Sequence, residues 1–333
     1  MSSSSIEWTE KTWNPTVGCT KISAGCKHCY AETMHARLTA MGQKKYAEPF
    51  RVVKPWPQHL AEPLRWKKPT RIFVNSMSDL FQEDLPDEYI AAVFGVMAAC
   101  PQHTFQVLTK RAERMADWLG WASHLSADGF GTRAEIIERL WSFAGQYGLH
   151  RGRLPANPHH AGIDWPLPNV WLGVSVENQE QADARIPHLL RAPAAVRFLS
   201  CEPLLGHVDL APWLFDPCDC MIPMQDGAGQ HMPRCATFRE PWGLDWVIIG
   251  GESGHGARPF DLEWARSIIA QCGTAGVPMF VKQMGQRPIW TVPPSGAPDD
   301  GGDLIELRLR HRKGGDPAEW PHDLRVREFP VSK

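Results

Sequence analysis

Three cysteines near the N-terminus carry the strongest chemical signal in the chain. Cys19, Cys26 and Cys29 stand as C-T-K-I-S-A-G-C-K-H-C, a C-x6-C-x2-C triplet with no fourth cysteine nearby. Three thiolates can hold three irons of a [4Fe–4S] cube and leave the fourth iron to an outside ligand, whereas clusters that only carry electrons usually take four cysteines. The same thiols could serve a structural zinc ion completed by His28, His35 or a distant residue. His28 lies inside the last C-x2-C, a poor place from which to reach the metal its neighbours bind. A second set, Cys218, Cys220, His231 and Cys235, reads C-x-C-x10-H-x3-C and offers four N/S ligands for zinc. Its stretch has little else to order it, and a thiol-bearing loop without metal is the alternative. Cys100, Cys201 and Cys272 sit in apolar surroundings and read as core.

Short apolar runs alternate with helical segments, which predicts βα units around a parallel sheet or barrel. Strands are expected at Thr12–Val17, Arg71–Asn75, Thr104–Leu108, Val170–Val176, Val196–Ser200, Trp246–Gly250 and Met279–Val281. Helices fit between them at Asp87–Cys100, Arg111–Leu119, Gln179–Leu190 and Asp261–Gly273, and Tyr30, Met34, Leu38 and Met41 share one face after the cysteines. The expected fold is an α/β partial or complete parallel (β/α) TIM-like barrel over residues 1–285. Two insertions interrupt it, at about 120–168, with an extra helix over Arg133–Tyr147, and at about 207–243. Residues 286–333, rich in Pro, Gly and charge, are expected to pack on the barrel.

Every strand after the first runs into a polar or Gly-rich string: N-S-M-S-D from Asn75, L-T-K-R from Leu108, G-V-S-V-E-N from Gly173, S-C-E-P from Ser200, G-G-E-S-G from Gly250 and V-K-Q-M-G from Val281. In a parallel barrel the C-terminal strand ends converge on one face, and that face carries the chemistry. One such Lys or Glu is ordinary solvated surface; six strings in succession predict a site. The cysteine loop follows the first strand and so opens on the same face.

Composition narrows the function classes. At 333 residues the chain can bury a sizeable core as one large domain or two smaller ones. A formal charge of −2 marks no global polyanion binder, so a nucleic-acid surface has to be local. The densest basic string is R-L-R-H-R-K, Arg308 to Lys313, which could neutralise phosphates or pair with Asp303, Glu306 and Asp316. No apolar run is long enough to span a bilayer, and the polar opening M-S-S-S-S is not a signal peptide, so a cytoplasmic protein without membrane contact is expected. Nine cysteines then point to metal or redox chemistry in a reducing compartment, not to a disulfide framework. Fifteen tryptophans read as core and loop packing.

These features together resemble the radical S-adenosylmethionine (SAM) superfamily, and more closely a phage- and mobile-element-associated family known by its three-Cys motif. The likeness rests on the opening I-E-W-T-E-K-T-W-N-P-T-V-G-C-T-K-I-S-A-G-C-K-H-C-Y-A-E, on the strand-end strings and on the tail H-R-K-G-G-D-P-A-E-W-P-H-D-L-R-V-R. It covers nearly the whole chain apart from the two insertions. The resemblance implies a barrel of the radical SAM type in which Cys19, Cys26 and Cys29 hold a [4Fe–4S] cluster and SAM chelates the open iron. A reductant such as flavodoxin or ferredoxin supplies one electron, SAM is cleaved to a 5′-deoxyadenosyl radical, and that radical takes a hydrogen from the substrate. Nucleic acid or a nucleotide is the implied substrate, and a separately encoded partner protein accompanies some relatives.

Two departures from the superfamily pattern change the residue assignments. Six residues separate Cys19 from Cys26, where three are common. The G-G-E string that usually follows the second strand, to hold the SAM amino group, follows the sixth here as Gly250-Gly251-Glu252. That role is therefore not carried to Glu252. The second strand end offers Asn75, Ser76, Ser78 and Asp79 as acceptors for an ammonium group, and Ser175, Glu177 and Asn178 are expected ribose and carboxylate contacts. Lys110, Arg111, Glu202, Glu252 and Lys282 are expected to face the substrate, positioning an anion or acting as acid or base. A salt bridge inside the mouth, such as Lys282 to Glu252, is the alternative. Tyr30 is expected beside the cluster. Two other functions stay open: a radical SAM enzyme on a peptide or small metabolite, and a zinc-stabilised nucleic-acid-binding protein without catalysis.

Overall fold

A computed structural model describes residues 4, 6–125, 133–149, 164–214, 243–292 and 303–331. Cys218, Cys220, His231 and Cys235 lie outside the described residues. The chain opens with β1 (Lys11–Trp13) and β2 (Thr16–Val17), then α1 (Tyr30–Ala40) and β3 (Lys54–Pro55). Alternating units follow: β4 (Arg71–Val74), α2 (Asp87–Ala98), β5 (Thr104–Thr109), α3 (Ala112–Ala122), α4 (Arg133–Gln146), β6 (Val170–Ser175), α5 (Gln179–Arg191), β7 (Val196–Cys201) and α6 (Ala211–Leu214). The last elements are β8 (Trp246–Gly250), β9 (Phe260–Asp261), α7 (Leu262–Ala275), β10 (Met279–Gln283), β11 (Pro288–Val292) and β12 (Asp303–Glu306).

Seven strands form one sheet in the order β1-β4-β5-β6-β7-β8-β10, with every neighbouring pair parallel. Strand order follows chain order, each step crosses over through a helix, and the sheet curls into a half-barrel. The expected first strand is not continuous. β1 joins the sheet, but Pro15 has no N–H to give a ladder. The Asn14 side chain instead accepts the Met77 N–H at 2.9 Å. β2 leaves the sheet and pairs antiparallel with β3.

The strands read as apolar runs because both faces are covered. Alternate residues such as Ile72, Val107, Leu172, Leu199, Ile249 and Val281 point out into the helical layer. Phe73, Trp171, Phe198, Trp246 and Phe280 point in, where Trp8 and Phe329 join them. Within that inner layer a Cβ on Gly173 would come within 2.5 Å of the Phe198 ring, so glycine leaves the space the ring fills. Further along the same inner rows the residues turn polar or small: Ser175, Ser200, Gly250 and Lys282. The half-barrel thus has an aromatic floor and a polar mouth. The tail runs along the edge of β10, where the Val281 N–H reaches the Val326 carbonyl at 2.8 Å, and the Trp246 indole donates to the Glu328 carbonyl at 2.8 Å. Among the described residues no helix is long and apolar enough to cross a membrane.

Candidate metal centre at the barrel mouth

The cysteine loop leaves β2 through Gly18, whose φ of +85° and close approach to Val52, 2.7 Å from its carbonyl carbon to an added Cβ, suit glycine alone. Cys19 follows at once, its N–H bonded to the Phe50 carbonyl at 2.9 Å. Cys26 closes a short 3-10 turn from Ala24, and Cys29 stands at the N-terminus of α1. All three thiols are free and partly exposed.

Three strand ends reach up to hold this loop, and each uses residues that the sequence marks. From β5 comes Arg111, almost completely buried, with all five of its N–H donors spent. Nε bonds both Glu83 oxygens at 3.0 and 2.8 Å, and Nη1 bonds Asp79 Oδ2 at 3.2 Å and the Cys19 sulfur at 3.7 Å. Nη2 bonds the Thr20 carbonyl at 3.2 Å and its hydroxyl at 2.8 Å. Asp79 is equally occupied, accepting from the Phe81 and Lys110 N–H groups and the Thr109 hydroxyl. Burial, then the Asp79 carboxylate, push the Cys19 thiol up to about 12, against the opposing pull of Arg111.

From β6 comes Glu177, which has no exposed surface. It accepts the Ser23 hydroxyl at 2.8 Å, pairs with Lys110 at 3.2 Å and takes Arg185 Nη1 at 2.9 Å. Burial opposes its charge, yet Lys110 and Arg185 keep the carboxyl below the usual carboxylate range. Gly25 packs on it so tightly that an added Cβ would lie 2.5 Å from Glu177 Cγ. From β8 comes Glu252, which accepts the Arg258 main-chain N–H at 2.9 Å and its guanidinium at 3.0 and 2.7 Å. Burial works against this carboxylate too, and Arg258 holds it low. The same guanidinium then donates to the Ala24 carbonyl at 2.8 Å. The loop is therefore fastened at Thr20, Ser23, Ala24 and Gly25, between its cysteines.

The other marked residues divide into frame and mouth. Ser76 bonds Asn14, and Ser78 bonds the Thr16 hydroxyl at 2.7 Å, so both tie β2 to the end of β4. Asn178 is the N-cap of α5, accepting from Gln181 N–H at 3.1 Å, a duty that removes it from the mouth. Asn75 is the one non-glycine residue with positive φ among those described, at +60°. Its Nδ2 donates to Thr16, while its buried Oδ1 has no hydrogen-bond partner among the described residues. Ser175 is buried on the inner face beside Ser200. Lys282 pairs with Glu202 at 2.6 Å, both side chains 17% exposed. Glu252, the alternative partner for Lys282, is already held by Arg258 from within its own turn.

Two expectations around the loop change. Tyr30 is 59% exposed, because α1 turns Ala31, Met34 and Leu38 toward Val17, Tyr46 and Met77. His35 stands edge-on to Tyr46 and Phe50 in a small buried cluster, a core histidine whose pKa burial lowers. Sequence reasoning missed Glu83, Arg185 and Arg258. Arg185 carried a signal, a cation on the apolar face of α5 beside buried Ala182, Ile186 and Leu189.

Among the described residues no group of three His, Cys, Asp or Glu side chains is drawn together as a ligand set. In donor type, three free and partly exposed thiols on one loop are what an iron–sulfur cluster requires.

Fold and site define a class: an α/β half-barrel with three free thiols on a loop fastened across its C-terminal mouth. The family described as "Protein of unknown function (DUF5131)" matches residues 3–306, and the chain belongs to that family. No curated protein and no solved structure matches the chain.

Proposed function

We propose that this protein is a radical SAM enzyme, with Cys19, Cys26 and Cys29 as the ligands of a [4Fe–4S] cluster. The observation that carries the reading is the way the loop is held. Arg111, Glu177 and Arg258 grip Thr20, Ser23 and Ala24, so the fold fixes the loop without consuming Cys26 or Cys29. A purely structural metal would not need three strand ends to aim its loop at the mouth of a parallel half-barrel, where such folds do their chemistry. When bound, the cluster would supply the electron that cleaves SAM, drawn from a flavodoxin or ferredoxin in the cytoplasm.

The chain's own residues then take distinct tasks. Asn75 Oδ1 is a buried acceptor in need of a donor, which the SAM ammonium group would provide. The hydroxyl of Ser175, on the inner face beside Ser200, would contact the nucleoside part. Lys282 and Glu202, the marked pair not spent on the loop, face the substrate and can hold or move a proton between Nζ and Oε1. The aromatic floor of Trp171, Phe198, Trp246 and Phe280 excludes water from below. Nucleic acid or a nucleotide is the substrate class, and the exposed Ile22, within the loop, and Tyr30, just after it, are available to a partner protein. Anaerobic reconstitution tests the reading: about four irons per chain and conversion of SAM to 5′-deoxyadenosine in wild type, both lost in Cys26→Ala, are expected. Zinc in place of iron, with intact SAM, would overturn it.

A further inference from the structure

The basic string Arg308–Lys313 takes no part in the loop clamps, and no carboxylate among the described residues compensates it. Leu307 and Leu309 pack on the core, which turns the alternate Arg308 and Arg310 to the exposed side. Glu306, Asp316 and Glu319, the nearby acids whose side chains are described, are engaged elsewhere. Glu319 accepts the main-chain N–H groups of Arg310 and His311 at 2.7 and 3.1 Å, Asp316 accepts the Ala318 N–H at 2.9 Å, and Glu306 faces Arg287 at 3.7 Å. Among the described residues no carboxylate pairs with the side chains of Arg308, Arg310, Arg312 or Lys313.

The backbone presenting these cations is fixed. His311 Nδ1 accepts the N–H groups of Lys313 and Gly315 at 3.3 and 2.8 Å, which leaves the proton of a neutral ring on Nε2. Gly314 closes the turn at φ +61°, and its carbonyl accepts the Trp320 indole N–H at 2.9 Å. Arg308, His311 and Arg312 line a cavity of about 330 Å³ together with Gly285 and Gln286. That cavity opens on the rim of the mouth. The Gln286 N–H bonds the Glu252 carbonyl at 2.9 Å, and the Met284 N–H bonds the Gly314 carbonyl at 2.8 Å. Glu252 in turn holds Arg258, which grips the cysteine loop.

We propose that Arg308, Arg310, Arg312 and Lys313 form a phosphate-backbone site for nucleic acid on the rim of the mouth. Guanidinium forks match phosphate oxygens, and each neutralised phosphate releases counterions to the solvent. Four cations along six residues, with no carboxylate partner among the described residues, exceed what a single phosphate takes up, so the ligand is a polynucleotide. The proposal deepens the substrate assignment above, but binding itself requires neither cluster nor SAM, so the two can fail separately.

The test is fluorescence anisotropy of full-length protein with fluorescein-labelled 20-mers, single- and double-stranded, across a salt series. Loss of two phosphate contacts in R308Q/R312Q is expected to flatten the log K against log salt slope by about 1.4–1.8 and to weaken binding roughly 25- to 60-fold at 0.1 M salt. The exposed pair in K67Q/K68Q serves as the charge control and is expected to bind as wild type does. No binding by wild type at low salt, unchanged slope in R308Q/R312Q, or equal loss in K67Q/K68Q would overturn the site. Displacement of the 20-mer by poly-glutamate as readily as by unlabelled DNA, or tight binding of AMP with none of the 20-mer, would overturn its assignment to nucleic acid.

Discussion

Arg111→Met removes six side-chain hydrogen bonds at one stroke, and the cost can be worked from their surroundings. Asp79, with an 8% exposed side chain, loses its only cationic partner among the described residues. Removing one member of a buried pair costs about 3–5 kcal/mol. Asp79 keeps its bonds from Phe81, Thr109 and Lys110, which places the loss near the lower end. Glu83 is 61% exposed, so its pair with Arg111 adds no more than about 1 kcal/mol. A total of about 3–4 kcal/mol is expected, a large share of the roughly 5–15 kcal/mol that stabilises ordinary domains. Arg111→Lys can keep Asp79 but cannot fork to Thr20, and is expected to fall between the two. Urea unfolding measures the global effect, and mass-spectrometric mapping of iodoacetamide labelling under native conditions reads the loop. Cys26, on the loop that Arg111 no longer anchors at Thr20, should label faster in Arg111→Met while buried Cys201 and Cys272 do not change. Cys19 is left out of the comparison because it also loses the pull of Arg111 on its thiol. A loss below about 1 kcal/mol with unchanged Cys26 labelling would refute the clamp.

Two further perturbations follow from the same geometry. Gly25→Ala pushes a methyl into Glu177 Cγ and Cδ, 2.5 and 2.7 Å away, and is expected to cost about 1–3 kcal/mol and to speed labelling of Cys26. Gly120→Ala, exposed in α3 with nothing within 4 Å, is expected to stabilise by about 0.5–1 kcal/mol; equal effects of the two would contradict the packing argument. Burial lowers the pKa values of His35, His59 and His103, His59 to about 4, so the unfolded chain binds more protons below the ordinary histidine value of 6.5. Stability should therefore fall as pH drops from 6.5 toward 4. A second decline begins below the ordinary Glu value of 4.5, as Glu177 and Glu252 lose the charge held by their cations. Urea midpoints that stay flat from pH 7 to 5 would contradict the histidine part.

What the sequence disclosed, and what it hid, follows from the range of the forces involved. Strands such as Val170–Ser175 and Trp246–Gly250 were legible because both faces are buried, which writes a continuous apolar run. The opening strand was not, because a single proline and the reach of Asn14 to Met77 decided it. The strand-end strings marked the mouth correctly as a place. They did not reveal their duties, since a residue type does not name its partner. Arg111 and Glu252 read as groups facing a substrate and Glu177 as a ribose or carboxylate contact, yet they brace the cysteine loop, because a buried charge goes to whatever countercharge and donors lie closest. The alternative pairing of Lys282 with Glu252 gives way to Arg258, six residues beyond that carboxylate, and Lys282 pairs with Glu202. Asn178 looked like a ligand contact and is a helix cap, a role its position before Gln179-Glu180-Gln181 could have signalled.

The most direct test of a three-thiol cluster with an open iron is electron paramagnetic resonance of the reduced, anaerobically reconstituted protein with and without SAM. Wild type is expected to give the signal of a reduced [4Fe–4S] cluster whose g-values shift when SAM is added, with Cys29→Ala giving neither signal nor shift. A cluster signal that SAM leaves unchanged, or zinc-loaded protein with no signal at all, would contradict the open-iron site.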